Sequence, residues 1–224
     1  MSKLYIVPTP SGNLKDITFR AVEILGNVGF ILAEDTRQTK KLLNHYSIGT
    51  PLRPHHQHNE HQVVKGTVKE MLEKDIEVAM VTDAGMPGIS DPGYLMVKSC
   101  RGAGVPVECL PGATAFVNAL VESGLPASTF CFEGFLPHQK GRAKKLKQLI
   151  DETRTMVFYE SPYRLLKTLE QFEGYFGEER QASVSRELTK IHAETVTGNL
   201  SFLKGHFSNR PIKGEFVIVV HGKG

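Results

Sequence analysis

The chain has 224 residues, 40% of them hydrophobic and 23% charged, enough to bury ~70% of the extended chain's surface and too apolar for a disordered protein. Lysine and arginine number 27 against 24 acidic residues, and the net charge of +3 argues by itself neither for nor against a nucleic-acid partner. Three cysteines, Cys100, Cys109 and Cys131, with no CxxC spacing, disfavour a disulfide framework or a zinc site and suit a reducing compartment.

Lys3 to Val7 reads directly as a first strand with no long apolar stretch after it, so no signal peptide is expected. Further strands are expected at Phe30 to Ala33, Val78 to Val81 and Val105 to Leu110. Helices are expected at Ile17 to Leu25, Thr36 to His45, Glu60 to Glu73 and Tyr94 to Arg101, where apolar residues such as Val64, Val68 and Met71 recur at helical spacing. Alternating strands and helices imply an α/β sheet with parallel pairings. The turn Leu110-Pro111-Gly112 punctuates the chain and precedes a helix-like stretch from Ala113 to Glu122.

From Ser128 the pattern restarts. Strands are expected at Thr129 to Glu133, Thr155 to Tyr159, Ala182 to Ser185, Ile191 to Val196 and Glu215 to Val220. Helices are expected at Arg142 to Asp151, at Pro162 to Phe172 and near Asn199 to Lys204. Strands predominate late, so antiparallel pairs belong in this half. The organisation expected is two α/β domains, residues 1–112 and 113–224. No apolar run reaches the length of a membrane span, and a cytoplasmic protein is expected.

Neither GxGxxG after the first strand nor GxxxxGK[ST] occurs, which disfavours Rossmann and P-loop phosphate binding. The first strand instead runs into Pro8-Thr9-Pro10-Ser11-Gly12-Asn13. The strand ending at Val81 runs into Thr82-Asp83-Ala84-Gly85-Met86-Pro87-Gly88-Ile89-Ser90-Asp91-Pro92-Gly93. Prolines stiffen that second loop, its glycines let backbone approach a ligand, and Asp83 and Asp91 can accept hydroxyl donors. Such loops at strand carboxyl ends are where α/β sheets bind ligands. Asp91 also suits the N-cap of the next helix, with Pro92 in its first turn.

The stretches LYIVPTPSGNLKDITFRA, AEDTRQTKKLL, TDAGMPGISDPG, LPGATA, FEGFLP, FYESPYR and SRELTK together resemble the tetrapyrrole-methylase-like (class III) methyltransferases, and within them the subgroup acting on small-subunit ribosomal RNA. The resemblance runs in order from residue 4 to about residue 220. It implies two α/β domains with a cofactor cleft between them, S-adenosylmethionine as methyl donor and a homodimer without membrane association. The implied acceptor is the 2′-hydroxyl of a decoding-centre cytidine in small-subunit rRNA, free or in the small ribosomal subunit.

By the same resemblance the donor contacts are Pro8, Thr9, Pro10, Asp83, Ala84, Gly85, Met86, Thr114 and Ala115, then Tyr159, Glu160, Glu187, Leu188, Gly214 and Glu215. Carboxylates Asp35, Glu160 and Glu187, in that order, are candidates to take the acceptor proton, and Lys190 to stabilise a developing alkoxide. Asp35 reads equally as a helix N-terminal carboxylate. Arg37, Arg164 and Arg186 are candidates to clamp phosphate, or to form ion pairs with Glu34, Glu160 or Glu187. Lys40 and Lys41 lie one turn beyond Arg37.

His55, His56, His58 and His61 could be taken for a metal cluster, but a sulfonium methyl donor needs no metal, and His58-Asn59-Glu60 matches the family pattern. His58 therefore reads as part of a polar acceptor-side loop or of a merely solvated one, the family pattern favouring the first, with no metal expected. The charge excess lies wholly in the second half, concentrated at Lys140, Arg142, Lys144, Lys145 and Lys147. A helix there keeps Leu146, Leu149 and Ile150 on one side, and Lys140, Arg142, Lys144 and Lys147 are candidates for RNA phosphate. Thr82, Met86, Tyr163 and Ser185 depart from the family's usual Ser, Thr, His and Cys. Two other functions fit the fold class: C-methylation of a tetrapyrrole ring, and non-catalytic RNA binding.

Overall fold

The computed structural model describes residues 1–57 and 59–224, and these divide into two units, Met1–Thr114 and Ala115–Gly224. Both are mixed α/β, as the alternating sequence pattern requires.

Unit 1 holds strands β1 (Lys3–Ile6), β2 (Phe30–Ala33), β3 (Leu52–Pro54), β4 (Glu77–Val81) and β5 (Val107–Cys109). They form one sheet in the order β3-β2-β4-β1-β5, every pair parallel. Parallel strands need crossovers, supplied by helices α1 (Phe19–Asn27), α2 (Thr36–His45), α3 (Glu60–Lys74) and α4 (Tyr94–Gly102). Both sheet faces are covered, which explains why β2 and β4 read as unbroken apolar runs rather than alternating ones. Phe30, Leu32, Val78 and Met80 face Val64, Met71 and Met96 of α3 and α4. Ile31, Ala33, Ala79 and Val81 face Ala21, Leu25 and Leu43 of α1 and α2.

Unit 2 opens with α5 (Ala115–Glu122) and continues β6 (Phe130–Phe135), α6 (Arg142–Leu149), β7 (Thr155–Glu160), α7 (Leu165–Phe176), β8 (Gln181–Arg186), β9 (Glu194–Asn199), α8 (Leu200–Ser208) and β10 (Phe216–Val220). Sheet order is β6-β7-β10-β8-β9. Only β6 and β7 pair in parallel; β10 runs antiparallel to β7 and β8, and β8 to β9. Helices α6, α7 and α8 cover one face through Leu146, Leu169, Phe172 and Leu203. On the other, α5 packs Ala119 and Leu120 against Val157, Val217 and Val219.

Several expectations shift. Strand β3 was not expected, because its three residues carry one apolar side chain at the sheet edge. The strand expected at Ile191 begins at Glu194, since Lys190 and Ala193 close a turn in which the Ala193 amide donates to the Lys190 carbonyl at 3.1 Å. Helix α4 is capped at Gly93, not Asp91. Among the described residues no helix is long and apolar enough to cross a membrane.

Candidate active site

In unit 1 the chain leaves β1 for β2 on one side of the sheet and leaves β4 for β5 on the other. These neighbouring strands therefore bound a topological switch point, where α/β sheets open a ligand crevice at their carboxyl ends. The two loops singled out in the sequence emerge there, and they are stitched together. Thr9 and Gly85 exchange backbone N–H···O bonds of 2.9 Å in both directions, and the Thr9 hydroxyl donates to the Thr82 carbonyl at 3.0 Å. Gly85 holds φ +79°, a left-handed conformation that favours glycine. Behind them, a Cβ on Gly112 would stand 2.8 Å from Pro8 Cβ, so the turn after β5 lies directly on the turn after β1. The expected donor residues Pro8, Thr9, Pro10, Asp83, Ala84, Gly85, Met86 and Thr114 thus occupy one region of unit 1.

Acidic side chains crowd that region. The Thr82 hydroxyl donates to Glu34 at 2.5 Å, and the Asp35 amide donates to Asp83 Oδ1 at 3.0 Å. Burial pushes Asp83 above the usual carboxylate range, and Glu34 and Asp35 add to the shift. Asp91 rises to about 6, again chiefly by burial, with Glu34 and Asp83 contributing. Asp35 behaves oppositely: the Arg37 guanidinium and amide hold it down to about 2. It caps α2 through Arg37 N at 2.8 Å and binds the Arg37 side chain at 2.7 Å, so it is a helix-end carboxylate with little capacity to take up a proton. Met86 rests with its sulfur 3.5 Å from Cys109 Sγ, against the core cluster that includes Met80. A thioether therefore fills an apolar niche at this position of the loop.

Asp91 carries a pH signature. Its folded-state pKa lies above that of an unfolded aspartate, so the native state binds the extra proton. The stabilisation is fully present below pH ~4 and is lost as pH rises through about 6. Thermal stability of the wild type should fall over that window, and Asp91→Asn should remove this contribution; equal pH profiles for the two proteins would refute it.

In unit 2, β7 and β8 end beside the start of β10, with Glu160 and Arg186 both opposite Phe216. Glu160 is 2% exposed. It accepts from the Ser161 amide at 2.8 Å and the Thr168 hydroxyl at 2.6 Å, and pairs with Arg164 at 2.8 Å and Arg142 at 3.7 Å. Arg142, expected on an RNA face, turns inward instead. Its guanidinium donates to Gln171, to the Pro137 carbonyl and to Thr168, and the residue is 5% exposed. Arg164 donates as well to the Leu136 carbonyl at 3.1 Å. These two arginines and Glu160 form one buried network that fixes the loops flanking β7.

Glu187 stands at φ +50° and Thr189 at +65°. The Glu187 carboxylate accepts from Lys190 Nζ at 2.8 Å and the Glu215 amide at 3.0 Å, while Lys190 also reaches Glu215 at 2.9 Å. Burial raises the Glu187 carboxyl, but Lys190 and the Glu215 amide outweigh it and leave it below its ordinary value. The same bonds outweigh burial at Lys190 and hold it cationic. A Cβ on Gly214 would lie 2.5 Å from the Glu187 side chain, so only glycine, at φ +95°, admits this pairing. Beside them Leu188 is buried on the α5 face. Tyr159 packs its ring 5.1 Å from Phe132 and 5.5 Å from Phe135, the latter 54% exposed. Phe135 was not anticipated, although it lies within FEGFLP.

Lys140, Lys144 and Lys147 are exposed and form no ion pair among the described residues, whereas Lys145 is tied to Glu133. Lys40 and Lys41 are also exposed, and Lys41 donates to Gln38. His58 lies outside the described residues. Arg186 keeps its Nε buried without a partner among the described residues.

The family model of the tetrapyrrole (corrin/porphyrin) methylases matches residues 3–204. Proteins called ribosomal RNA small subunit methyltransferase I are similar along the whole chain. The one from Thermotoga maritima is 46% identical, covering 100% of both chains. That from Escherichia coli O157:H7 is 48% identical over 98% of this chain and 78% of its own. Among solved structures, a cobalt precorrin-4 methyltransferase superposes with TM-score 0.72 at 19% identity, over 98% of this chain and 94% of that one. A uroporphyrin-III C-methyltransferase from Thermus thermophilus, complexed with S-adenosyl homocysteine, superposes with TM-score 0.66 at 18% identity, over 97% and 96%.

Proposed function

Because this chain belongs to the tetrapyrrole (corrin/porphyrin) methylase family of methyltransferases, we propose that it transfers a methyl group from S-adenosylmethionine to the 2′-hydroxyl of a cytidine in small-subunit ribosomal RNA. The observation that carries the reading is the end-to-end identity of 46–48% with enzymes named for that RNA. The tetrapyrrole methyltransferases share the fold at 18–19% identity, which speaks to architecture and not to acceptor.

The unit 1 crevice suits such a donor by its chemistry. Its carboxylates Asp83 and Asp91 hold protons more readily than free aspartate, so a cationic guest that replaces those protons is favoured there. Asp83 is assigned to the ribose hydroxyls, and the turns at Pro8-Thr9-Pro10 and Gly85 offer backbone groups at close range. S-adenosylmethionine supplies a sulfonium-bound methyl that is electrophilic without a metal. What the protein contributes is alignment and exclusion of water. Tyr159, Leu188, Gly214 and Glu215 are assigned to the adenine end, with the Phe135 ring as a further stacking surface. Asp35 and Glu187, each below its ordinary pKa, act as orienting carboxylates rather than proton acceptors. Lys190, held cationic, stabilises negative charge developing on the acceptor oxygen.

Lys140, Lys144 and Lys147 are assigned to RNA phosphate. Replacing all three with Ala should weaken RNA binding and lower the slope of log K against log salt by about 2, with donor affinity unchanged; an unaltered slope would remove these residues from the interface. The function itself is tested with labelled donor and undermethylated small subunits. Label on a cytidine ribose supports the reading, whereas label on a base, or none despite donor binding, refutes it.

A further inference from the structure

After β3 the Asn59 side chain accepts from the His56 amide at 2.8 Å and donates to the Pro54 carbonyl at 3.1 Å, which ties the residue before α3 back to the end of the strand. Glu60, the first residue of α3, is buried (8% exposed). There Glu60 Oε1 accepts from the amides of Gly93, at 3.1 Å, and Leu95, at 3.3 Å. His55 covers the same oxygen, with Nε2 3.8 Å away and its own side chain 1% exposed.

Gly93 and Leu95 are the N-cap and second residue of α4, and α4 has no side-chain cap of its own. Pro92 brings no N–H, and Gly93 sits at φ +140°, where a Cβ would come within 2.6 Å of the Met80 methyl. The helix start is thus pressed onto β4 with its free amides pointing at a carboxylate from 33 residues earlier. Both the hydrogen bonds and the positive end of α4 favour an anion there.

The consequence concerns the loop between. Residues 82–93 are pinned at their first end by Thr82–Glu34, Asp35–Asp83 and the Thr9–Gly85 pairing. At their far end the Gly88 amide donates to the Pro92 carbonyl at 3.2 Å and the Ile89 amide to the Met86 carbonyl at 3.4 Å, Asp91 is hydrogen-bonded to Thr82, and Gly88 and Ser90 take φ of +81° and +65°. Beyond these bonds within the loop, its far end is anchored through Gly93, and hence through Glu60.

We propose that Glu60 is a positioning residue for donor binding: by capping α4 it fixes the far end of the Asp83 loop. The proposal rests on the assignment of that loop to the methyl donor. Glu60 touches no substrate; it acts through Gly93 and Leu95.

The test is calorimetric titration of S-adenosylmethionine into the purified full chain, comparing wild type, Glu60→Ala, Glu60→Gln, Glu60→Asp and Asp83→Ala. Loss of a cap of this kind should weaken donor affinity by roughly fivefold to thirtyfold in Glu60→Ala. Glu60→Gln keeps an acceptor oxygen in place and should recover most of the loss, while RNA affinity should stay at the wild-type value in every variant. Should Glu60→Ala not fold, Glu60→Asp serves instead: it keeps the charge on an arm one methylene too short to reach both amides, and should also bind donor more weakly. Wild-type donor affinity in folded Glu60→Ala or Glu60→Asp, alongside a loss in Asp83→Ala, overturns the positioning role and leaves the donor assignment standing. Donor affinity unaltered in Asp83→Ala, or absent from the wild type, overturns the donor assignment, and the positioning role falls with it.

Discussion

Replacing Glu160 with Ala should destabilise unit 2 by about 3–5 kcal/mol, because it strands the buried guanidinium of Arg142 and the half-buried one of Arg164 without their anion. Arg142 and Arg164 both depend on that carboxylate, and the Thr168 hydroxyl, wholly buried, donates to it. Burial already lowers the proton affinity of Arg142, and Glu160 is the first influence opposing it. A loss of this size shifts the midpoint of thermal unfolding downward by about 10 °C or more. Arg142→Met combined with Glu160→Met should cost less than the two single losses added together, since the double variant no longer strands Arg142 and leaves only Arg164 without its anion. Scanning calorimetry of wild type, Glu160→Ala, the two single Met variants and the double variant checks this. A Glu160→Ala midpoint within a degree or two of wild type, accompanied by lost methyl transfer, would instead make Glu160 part of the chemistry.

Removing the Asp83 carboxylate should have the largest effect on the donor. Asp83→Ala deletes a charged acceptor at the switch point, and hydrogen bonds to charged groups are worth about 1.5–3 kcal/mol, so donor affinity should fall roughly tenfold to a hundredfold. The Asp35 amide, which donates to Asp83, loses its partner too, but stands near enough to solvent to find water. Asp83→Asn keeps an acceptor for that amide and should bind donor with an intermediate affinity. Titration of S-adenosylmethionine into each variant measures both, and equal affinity for wild type and Asp83→Ala would place the donor elsewhere.

The parts of this architecture legible in the sequence are those set by local chemistry. Asp35 before an amphipathic run marks α2, whose observed limits are Thr36–His45, and the unbroken apolar runs at β2 and β4 mark strands covered on both faces. Loop composition pointed to the Asp83 segment because glycine, proline and aspartate act on their own backbone. What sequence could not disclose are partnerships between distant side chains. Arg142 looked like one more cation on a basic helix, yet its Thr168 and Glu160 partners lie on other elements and turn it inward. Asp91 looked like the cap of α4 because aspartate is a good cap. The position belongs to Gly93, whose conformation no aspartate adopts cheaply, and the capping oxygen comes from Glu60. In the same way Glu160 was legible as a carboxylate at a strand end, but not as the anion of a buried network.

The placement of β10 in unit 2 bears on how the protein is made. Unit 1 has all five strands once Cys109 has been synthesised. Unit 2 receives the strand that joins its two halves only with Phe216–Val220. Until then β6-β7 and β8-β9 are separate two-stranded ribbons, too small to hold a stable fold alone, and each presents to solvent the unpaired backbone that β10 later occupies. Emerging from a ribosome, the chain therefore carries a completed first unit well before the second can close, and the facing edges of β7 and β8 are its exposed, association-prone surface during that interval.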